Sequence, residues 1–241
     1  MLMPTTRWFR VPALGAYLLG ISGAGIFFAY VLGTGTGFLP RPEGPGELAW
    51  LIDLGWLLLL AVQHSGMARA SFKRWWTRWI PAPLERSVYV TVSGLLLAAL
   101  TLCWQPLPGE PLWQGPTWIA AVSVLGALGA GACCLAFDHT AFFGLRQAWT
   151  GSAEFETPLR VNGPYRFVRH PLMLGLLIAL WAQPTLPPEL FLMNTGLTLY
   201  IFVGIRLEER DLVRQFGAQY LAYRARTSAL LPLVNKFSQM Y

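Results

Sequence analysis

Four apolar runs, at roughly residues 13–33, 48–64, 87–104 and 117–137, decide what this chain can become. Each meets or approaches the ~20 residues that a helix needs to cross a hydrocarbon core. A further apolar region, 171–206, is broken by Pro184, Pro187 and Pro188. Its two arms predict a helical hairpin with the prolines at the turn. The expected fold is an all-α, polytopic membrane helix bundle of six segments, or five if the short arm 171–183 only dips into the bilayer. Composition closes the other routes. Of 241 residues 54% are apolar and 12% charged, against ~25% charged in a soluble domain. A soluble enzyme, a disordered regulator and a disulfide-stapled secreted module are excluded.

A net charge of +6 would suggest nucleic acid in a soluble chain, but here the placement of the charges speaks to topology. Arg7 and Arg10 precede the first run, and Arg69, Lys73, Arg74, Arg78 and Arg86 lie between the second and third. Arg146, Arg160, Arg166 and Arg169 follow the fourth, and all basic residues from Arg206 onward follow the last. Only Arg41 falls in the alternate set of loops, so seventeen of eighteen Lys and Arg share one side. Cytoplasmic loops collect basic residues, so both termini are expected in the cytoplasm. The first run is too long for a cleavable signal core and reads as a retained helix. Membrane lipids are the expected surroundings; neither a nucleic acid nor an obligate protein partner is called for.

The whole chain reads as one membrane-embedded domain, with a four-helix part at 1–137 and a polar-rich part at 138–232. Cys103, Cys133 and Cys134 lie in apolar runs without metal-ligand spacing, so they are expected to pack, and no metal is expected. The stretch Gly33-Thr-Gly-Thr-Gly37 has no strand before it and is not a phosphate loop. Gly163, Gly175 and the run from Gly126 to Gly131 are expected to serve turns and close helix packing.

Polar residues are informative in so apolar a chain, because burying them is costly. Asp53 reads as a packing residue near the external end of the second helix. Gln63-His64-Ser65 ends that helix on the cytoplasmic side, where it either meets water or joins a site. The fourth helix exits into Asp138-His139, followed by Phe143-Gly-Leu-Arg146-Gln147. The densest polar stretch is Asn162-Gly-Pro-Tyr165-Arg-Phe-Val-Arg169-His170-Pro171. Pro171 suits the first position of a helix, which puts Arg169 and His170 at a helix N-terminus that attracts anions. Glu208 and Glu209 re-emerge on the same face, either as a solvated helix start or as partners for ribose hydroxyls. Leu212, Phe216, Tyr220 and Tyr223 recur at helical spacing among charges, which predicts a C-terminal amphipathic cytoplasmic helix over 207–226. These residues together describe a cytoplasm-facing polar pocket for a small ligand with cationic and anionic ends.

The pattern Gly163-Pro-Tyr165-x-x-x-Arg169-His170-Pro171, then Glu208-Glu209, then Phe216-Gly-x-x-Tyr220-x-x-Tyr223 resembles the membrane methyltransferases. These include the isoprenylcysteine carboxyl and phospholipid methyltransferases, and the resemblance covers about 157–232. It implies S-adenosylmethionine as cofactor, bound by the C-terminal part. By position it implies cofactor contacts at Tyr165, Arg169, His170, Pro171 and Glu208, with Thr157, Pro158, Leu159 and Arg160 lining the same pocket. Where that family often has Tyr two residues after the His-Pro pair, this chain has Met173, which removes a hydroxyl there. From about 60 to 232 the chain is also similar to NnrU-type proteins and, more so, to bacterial methanethiol S-methyltransferases. Gln63-His64-Ser65-x-Met67-Ala68, Lys73-Arg-Trp-Trp76, Phe143-Gly-Leu-Arg-Gln147, Pro171-Leu-Met-Leu-Gly175 and Leu207-Glu-Glu-Arg-Asp-Leu212 carry that similarity.

The resemblance implies an S-adenosylmethionine-dependent thiol S-methyltransferase of the bacterial inner membrane that converts methanethiol to dimethyl sulfide. The attacking species must be a thiolate, since a neutral thiol is a poor nucleophile. His139, His64 and Asp138 are the candidates for base or base-orienting roles, and Arg146 for stabilising the thiolate. The alternatives are a prenylcysteine or lipid methyltransferase, and an NnrU-like accessory protein of nitrogen-oxide metabolism without catalysis.

Overall fold

The computed structural model describes residues 7–39, 46–136, 138–152 and 158–231. Helices dominate them: α1 (Arg7–Gly35), α2 (Ala49–Met67), the short α3 (Ala70–Trp76) and α4 (Glu85–Leu102) come first. After β1 (Trp113–Gln114) follow α5 (Ile119–Ala136), the single turn α6 (His139–Phe142) and α7 (Leu145–Thr150). A 3-10 turn over Gly163–Arg166 leads into α8 (Pro171–Trp181), β2 (Thr185–Leu186), α9 (Pro188–Phe216) and α10 (Ala218–Arg226). This is the expected all-α polytopic bundle. α1, α2, the stretch Ala82–Leu102 and α9 are long and apolar enough to cross a membrane. Leucines stand bare along α2, with Leu51, Leu54, Leu58 and Leu59 all at least two-fifths exposed. In water such surface would be costly; in lipid it is the contact face. The protein is an integral membrane protein.

Small residues set the helix spacing. Gly23 of α1 lies so close to Gly94 of α4 that a Cβ on it would come within 2.3 Å of the Gly94 carbonyl oxygen. α5 and α8 meet in the same manner, since a Cβ on Gly126 would lie 2.8 Å from the Gly175 oxygen and one on Gly175 2.7 Å from the Gly126 oxygen. Two helices that gain no hydrophobic energy from leaving lipid gain van der Waals attraction from such close packing. Gly163, at φ +62°, starts the 3-10 turn. Gly163, Gly175 and Gly126 serve as expected, whereas Gly129 and Gly131 have open space where a Cβ would stand and do not set the helix spacing. The core between the helices gathers Phe27, Val31, Leu100, Leu180, Leu190 and Met193.

The hairpin expected over 171–206 forms, but its first arm is only 11 residues long, about 17 Å of helix against a core of about 30 Å. Trp181, at the end of α8, donates its indole N–H to Thr198 Oγ1 at 2.8 Å, so the short arm stops level with the middle of α9. The extended residues 182–187 cover the remaining height beside the start of α9. Non-helical backbone survives at such depth only when enclosed by protein. Here β2 pairs antiparallel with β1, and the buried Gln183 donates to Ser123 Oγ at 3.0 Å and to the Ala179 carbonyl at 2.6 Å. Asn194, also fully buried, donates to the Leu180 carbonyl at 2.6 Å. The β1–β2 pairing also joins loop 105–116 to the proline turn, which charge placement had put on one side. Asp53 behaves as the packing residue expected: it is fully buried and accepts the Gln105 backbone N–H at 2.9 Å.

The amphipathic segment expected over 207–226 is built in two pieces. Residues 207–216 continue α9 without a break, and Gly217, at φ +51° and ψ −125°, turns the chain into α10. That backbone conformation belongs to glycine, and it lets α10 fold back on α9 rather than run on along the membrane surface.

Candidate active site

Three polar groups form where sequence pattern placed candidate residues. The first ties α8, α9 and α10 together. His170 stands just ahead of α8 without a side-chain capping bond, and Pro171 fills the first helical position, as expected. The strand-like residues 168–170 run beside 227–229: Arg169 N–H donates to the Ser228 carbonyl at 2.8 Å and His170 N–H to that of Ala229 at 3.0 Å. The Arg169 guanidinium grips Glu209 Oε1 through Nε at 2.8 Å and Nη2 at 2.5 Å, and also reaches the carbonyls of Arg224 and Thr227. His170 Nε2 meets the same carboxylate oxygen at 3.2 Å, while its Nδ1 lies 3.6 Å from Glu208 Oε2. His170 is buried and the Glu209 side chain is 15% exposed, whereas that of Glu208 is 52% exposed. Glu209 is therefore the carboxylate that holds Arg169 and His170 in place. Glu208 keeps most of its acceptor capacity for something else.

Tyr165 closes this group. Its carbonyl accepts the Tyr223 hydroxyl at 2.5 Å, which pins the 3-10 turn to α10. Burial pushes the Tyr165 phenol well above its ordinary value, helped by nearby Cys133 and Glu208 and opposed by Arg160. The phenol thus sits where α5, Glu208 and the loop carrying Arg160 approach one another. Pro158 and Arg160 are exposed and Leu159 is half-buried in that loop; Thr157 lies outside the described residues. Next to the turn, Pro164, Pro171, Cys133, Gly126, Gly129 and Gly175 line a groove of about 580 Å³ between α5 and α8. The groove owes its depth to those glycines, and its apolar walls run from the polar group toward the lipid-facing side.

The second group spans α2, α4 and α9. His64 Nε2 lies 2.8 Å from the Tyr89 hydroxyl and Nδ1 3.3 Å from Ser93 Oγ. Gln63 donates to the same Ser93 oxygen at 3.1 Å, and Ser65 Oγ meets the Tyr200 hydroxyl at 3.1 Å. The third group surrounds α6. Asp138 caps that turn, accepting Ala141 N–H at 3.0 Å and Thr140 Oγ1 at 2.5 Å, and it binds Arg146 Nη1 at 2.5 Å. The Thr140 and Ala141 hydrogen bonds, with help from Arg146, hold its carboxyl down to about 2. His139 opens the turn with a half-buried ring that has no side-chain partner among the described residues. Arg86 joins these last two groups. Its guanidinium lies 4.9 Å from the Tyr89 ring centroid and 5.0 Å from that of Phe142, and Nε donates to the Phe142 carbonyl at 2.7 Å.

Comparison with known proteins gives this arrangement a lineage. No family model and no solved structure matches the chain. A curated protein of Bradyrhizobium diazoefficiens named Methanethiol S-methyltransferase 2 is 41% identical over 225 residues, which cover 86% of this chain and 85% of that protein. A Methanethiol S-methyltransferase of Mycobacterium tuberculosis is 37% identical over 237 residues, covering 90% and 96%. The chain belongs to the methanethiol S-methyltransferase family. Nurim of Sus scrofa is a more distant relative, 34% identical over 180 residues and 68% of each chain.

Among the family-implied residues of this chain, Tyr165, Arg169, His170, Pro171 and Glu208 gather where α8, α9 and α10 meet, and of these Pro171 lines the α5–α8 groove. Asp138 and Arg146 pair with each other, and His64 joins a different set. Sequence reasoning had singled out neither Glu209 as the anchoring carboxylate nor Tyr89, Ser93 and Arg86 as the neighbours of His64. A signal for the last three was present. Arg86, Tyr89 and Ser93 fall at intervals of three and four, one stripe of α4. Glu209 had no such signal, because adjacent carboxylates differ only in which way the helix turns them.

Proposed function

We propose that this protein transfers a methyl group from S-adenosylmethionine to the thiolate of a small thiol, methanethiol first among them. The pocket faces the cytoplasm of a bacterial inner membrane, with both chain termini on that side. Kinship carries the reading: relatives named for this reaction match most of the chain at 37–41% identity. The residues present fit the donor. Glu208 offers a half-exposed carboxylate for ribose hydroxyls, beside the Tyr165 phenol. α8 begins at Pro171, so the N–H groups of its first turn lack intrahelical acceptors and suit a carboxylate. A groove of about 580 Å³ is of the size that small-molecule sites occupy.

S-adenosylmethionine, when bound, supplies an electrophilic methyl on a positively charged sulfur. Tyr165, Glu208 and the first turn of α8 would hold the donor, and a base of this chain would take the proton of the acceptor thiol, whose sulfur would then receive the methyl. Dimethyl sulfide and S-adenosylhomocysteine leave. Displacement of this kind depends chiefly on alignment, and the Arg169–Glu209–His170 brace supplies it by fixing the start of α8 against α9 and α10. His139 is the better base, since both ring nitrogens of His64 are already engaged by Tyr89 and Ser93. Asp138, with its carboxyl held low, is a poor proton acceptor; it orients Arg146, whose charge suits a thiolate.

The test supplies detergent-purified protein with S-adenosylmethionine and methanethiol and measures headspace dimethyl sulfide together with S-adenosylhomocysteine. Parallel reactions hold hydrogen sulfide, a prenylcysteine analogue or a phospholipid. Dimethyl sulfide formed in step with S-adenosylhomocysteine supports the reading. Turnover of the prenylcysteine analogue or the phospholipid alone moves the acceptor to a lipid. Folded protein with neither cofactor binding nor turnover refutes the reading. His139→Ala is expected to lower turnover while leaving cofactor affinity intact.

A further inference from the structure

The cytoplasmic end of α9 carries a row of positive charge that the methyl-transfer site does not use. Arg206, Arg210 and Arg214 recur every four residues, and with Arg224 of α10, Glu209 and Val213 they line an open groove of about 560 Å³. Negative charge there is already committed. Glu209 is shared between Arg169 and His170, and Asp211 pairs with Arg214 at 3.1 Å in an exposed position. Like charges four apart on a helix repel one another, so the row is set against itself until an anion joins it.

Below the row the same helix face turns apolar. Leu199, Phe202 and Val203 are 63%, 45% and 51% exposed. At 3.6 residues per turn they share with Arg206, Arg210 and Arg214 about a third of the helix circumference. Only about 10 Å of helix separates Leu199 from Arg206. On a membrane-spanning helix that is a lipid-facing strip ending in guanidiniums that reach up to the headgroup layer. A ligand matching both halves joins hydrocarbon directly to a compact anion. Surplus positive charge disfavours a headgroup carrying its own ammonium.

We infer that this face of α9 binds one anionic phospholipid, with its phosphate between Arg206, Arg210 and Arg224 and an acyl chain along Leu199, Phe202 and Val203. The site is independent of the methyl-transfer reading. It braces α9 from the groove that Glu209 also lines, so occupancy steadies α9 and α10 against each other.

The experiment uses the full chain in an uncharged detergent. It titrates phosphatidylglycerol, phosphatidylcholine or inorganic pyrophosphate, reading retained lipid by native mass spectrometry and the unfolding midpoint by thermal shift. Phosphatidylglycerol is expected to bind and raise the midpoint more than phosphatidylcholine does. Arg206→Gln and Arg210→Gln are each expected to weaken it roughly fivefold, in line with the pull of one basic residue at a charged membrane surface. Arg210→Lys, which keeps the charge, should retain most of the affinity. Arg78→Gln, an exposed arginine of another loop, should change nothing. Equal binding of the two lipids, or undiminished affinity in both single variants, overturns the proposal. Pyrophosphate stabilising as well as phosphatidylglycerol overturns it too, because the site then belongs to a soluble anion.

Discussion

Two regions of this molecule hold their polar groups by different means. Around α8, α9 and α10 the bonds are ionic: one carboxylate, Glu209, receives both Arg169 and His170. Between α2, α4 and α9 the polar row of Gln63, His64, Ser65, Ser93, Tyr89 and Tyr200 exchanges hydrogen bonds between groups that need carry no charge. The difference follows from what each region must hold. α1 and α4 are long helices that close glycine contacts already align, and Leu57 of α2 sits against Gly196 of α9, so weak bonds suffice to set the rotation of each. The start of α8 is reached through the strand-like stretch 168–170, which lies outside the glycine contact between α5 and α8 and is tied to 227–229 and to α9. It is fixed by charge, which is strong but fails badly when one partner is missing.

That contrast predicts the largest effect. Glu209→Gln strands Arg169 and His170 together in a mostly buried setting, and should cost about 3 kcal/mol of stability, along with S-adenosylmethionine binding. Thermal unfolding in detergent and ligand-induced thermal shift measure the two. A variant as stable as the parent would show that the brace is ornamental and that α8 is held by the groove alone.

Next in size is a break in the glycine-packed region. Gly23→Val pushes a side chain into the Gly94 backbone, and overpacking of this sort costs about 2 kcal/mol. Cofactor affinity per folded molecule should stay unchanged. Gly126→Val carries a similar cost but also fills the α5–α8 groove, so it should lower affinity as well. Equal affinity in both variants would separate the groove from the cofactor.

Glu208→Gln sharpens the division of labour between the adjacent carboxylates. With its side chain half-exposed and its one close partner 3.6 Å away, it should leave the unfolding midpoint within the scatter of a surface substitution. Cofactor affinity should fall roughly tenfold, the worth of one hydrogen bond to a charged group. Calorimetric titration reads it directly.

The membrane helices were legible in the residues because apolar run length is a one-dimensional property. The same held for His170 and Pro171 at the head of α8, where proline chemistry is local. Three features were not legible. The hairpin's first arm stops at Trp181 because the β1–β2 pairing and Gln183 complete its height, and those partners lie some 60 to 70 residues away in the chain. Residues 207–216 belong to α9 because nothing breaks a helix until Gly217, although amphipathic spacing favoured one separate surface helix. Glu209 was overshadowed by Glu208 because a motif names positions, while the rotation of α9 decides which carboxylate faces Arg169.

In the neutral row the expected effects are smaller. Tyr89→Phe removes the hydroxyl 2.8 Å from His64 Nε2 and should cost about 1 kcal/mol, the worth of one ordinary hydrogen bond. If His64 only sets helix rotation, the pH profile of turnover will keep its shape. A shifted profile together with reduced turnover would make His64, and not His139, the group that takes the thiol proton.

The smallest effect lies at the α6 cap, where it is a matter of pH. Asp138 has its carboxyl lowered from the ordinary 3.8 to about 2, mainly by Thr140 and the Ala141 N–H. The folded turn therefore prefers the ionised acid, and its contribution is complete above pH 4. It fades as pH falls from about 4 toward 2, when the folded form must also take up the proton. The side chain is a third exposed and its partner Arg146 half exposed, so solvent screens the pair and the loss stays local. Hydrogen exchange at the Ala141 amide should accelerate over that pH range relative to helical amides of α4, after correction for intrinsic rates. Asp138→Asn should show the faster relative exchange already at neutral pH, with little change in global unfolding. Protection at Ala141 unaffected by both changes would mean that the turn is held by Arg86 on Phe142 rather than by its cap, and that the seam with α4 positions His139.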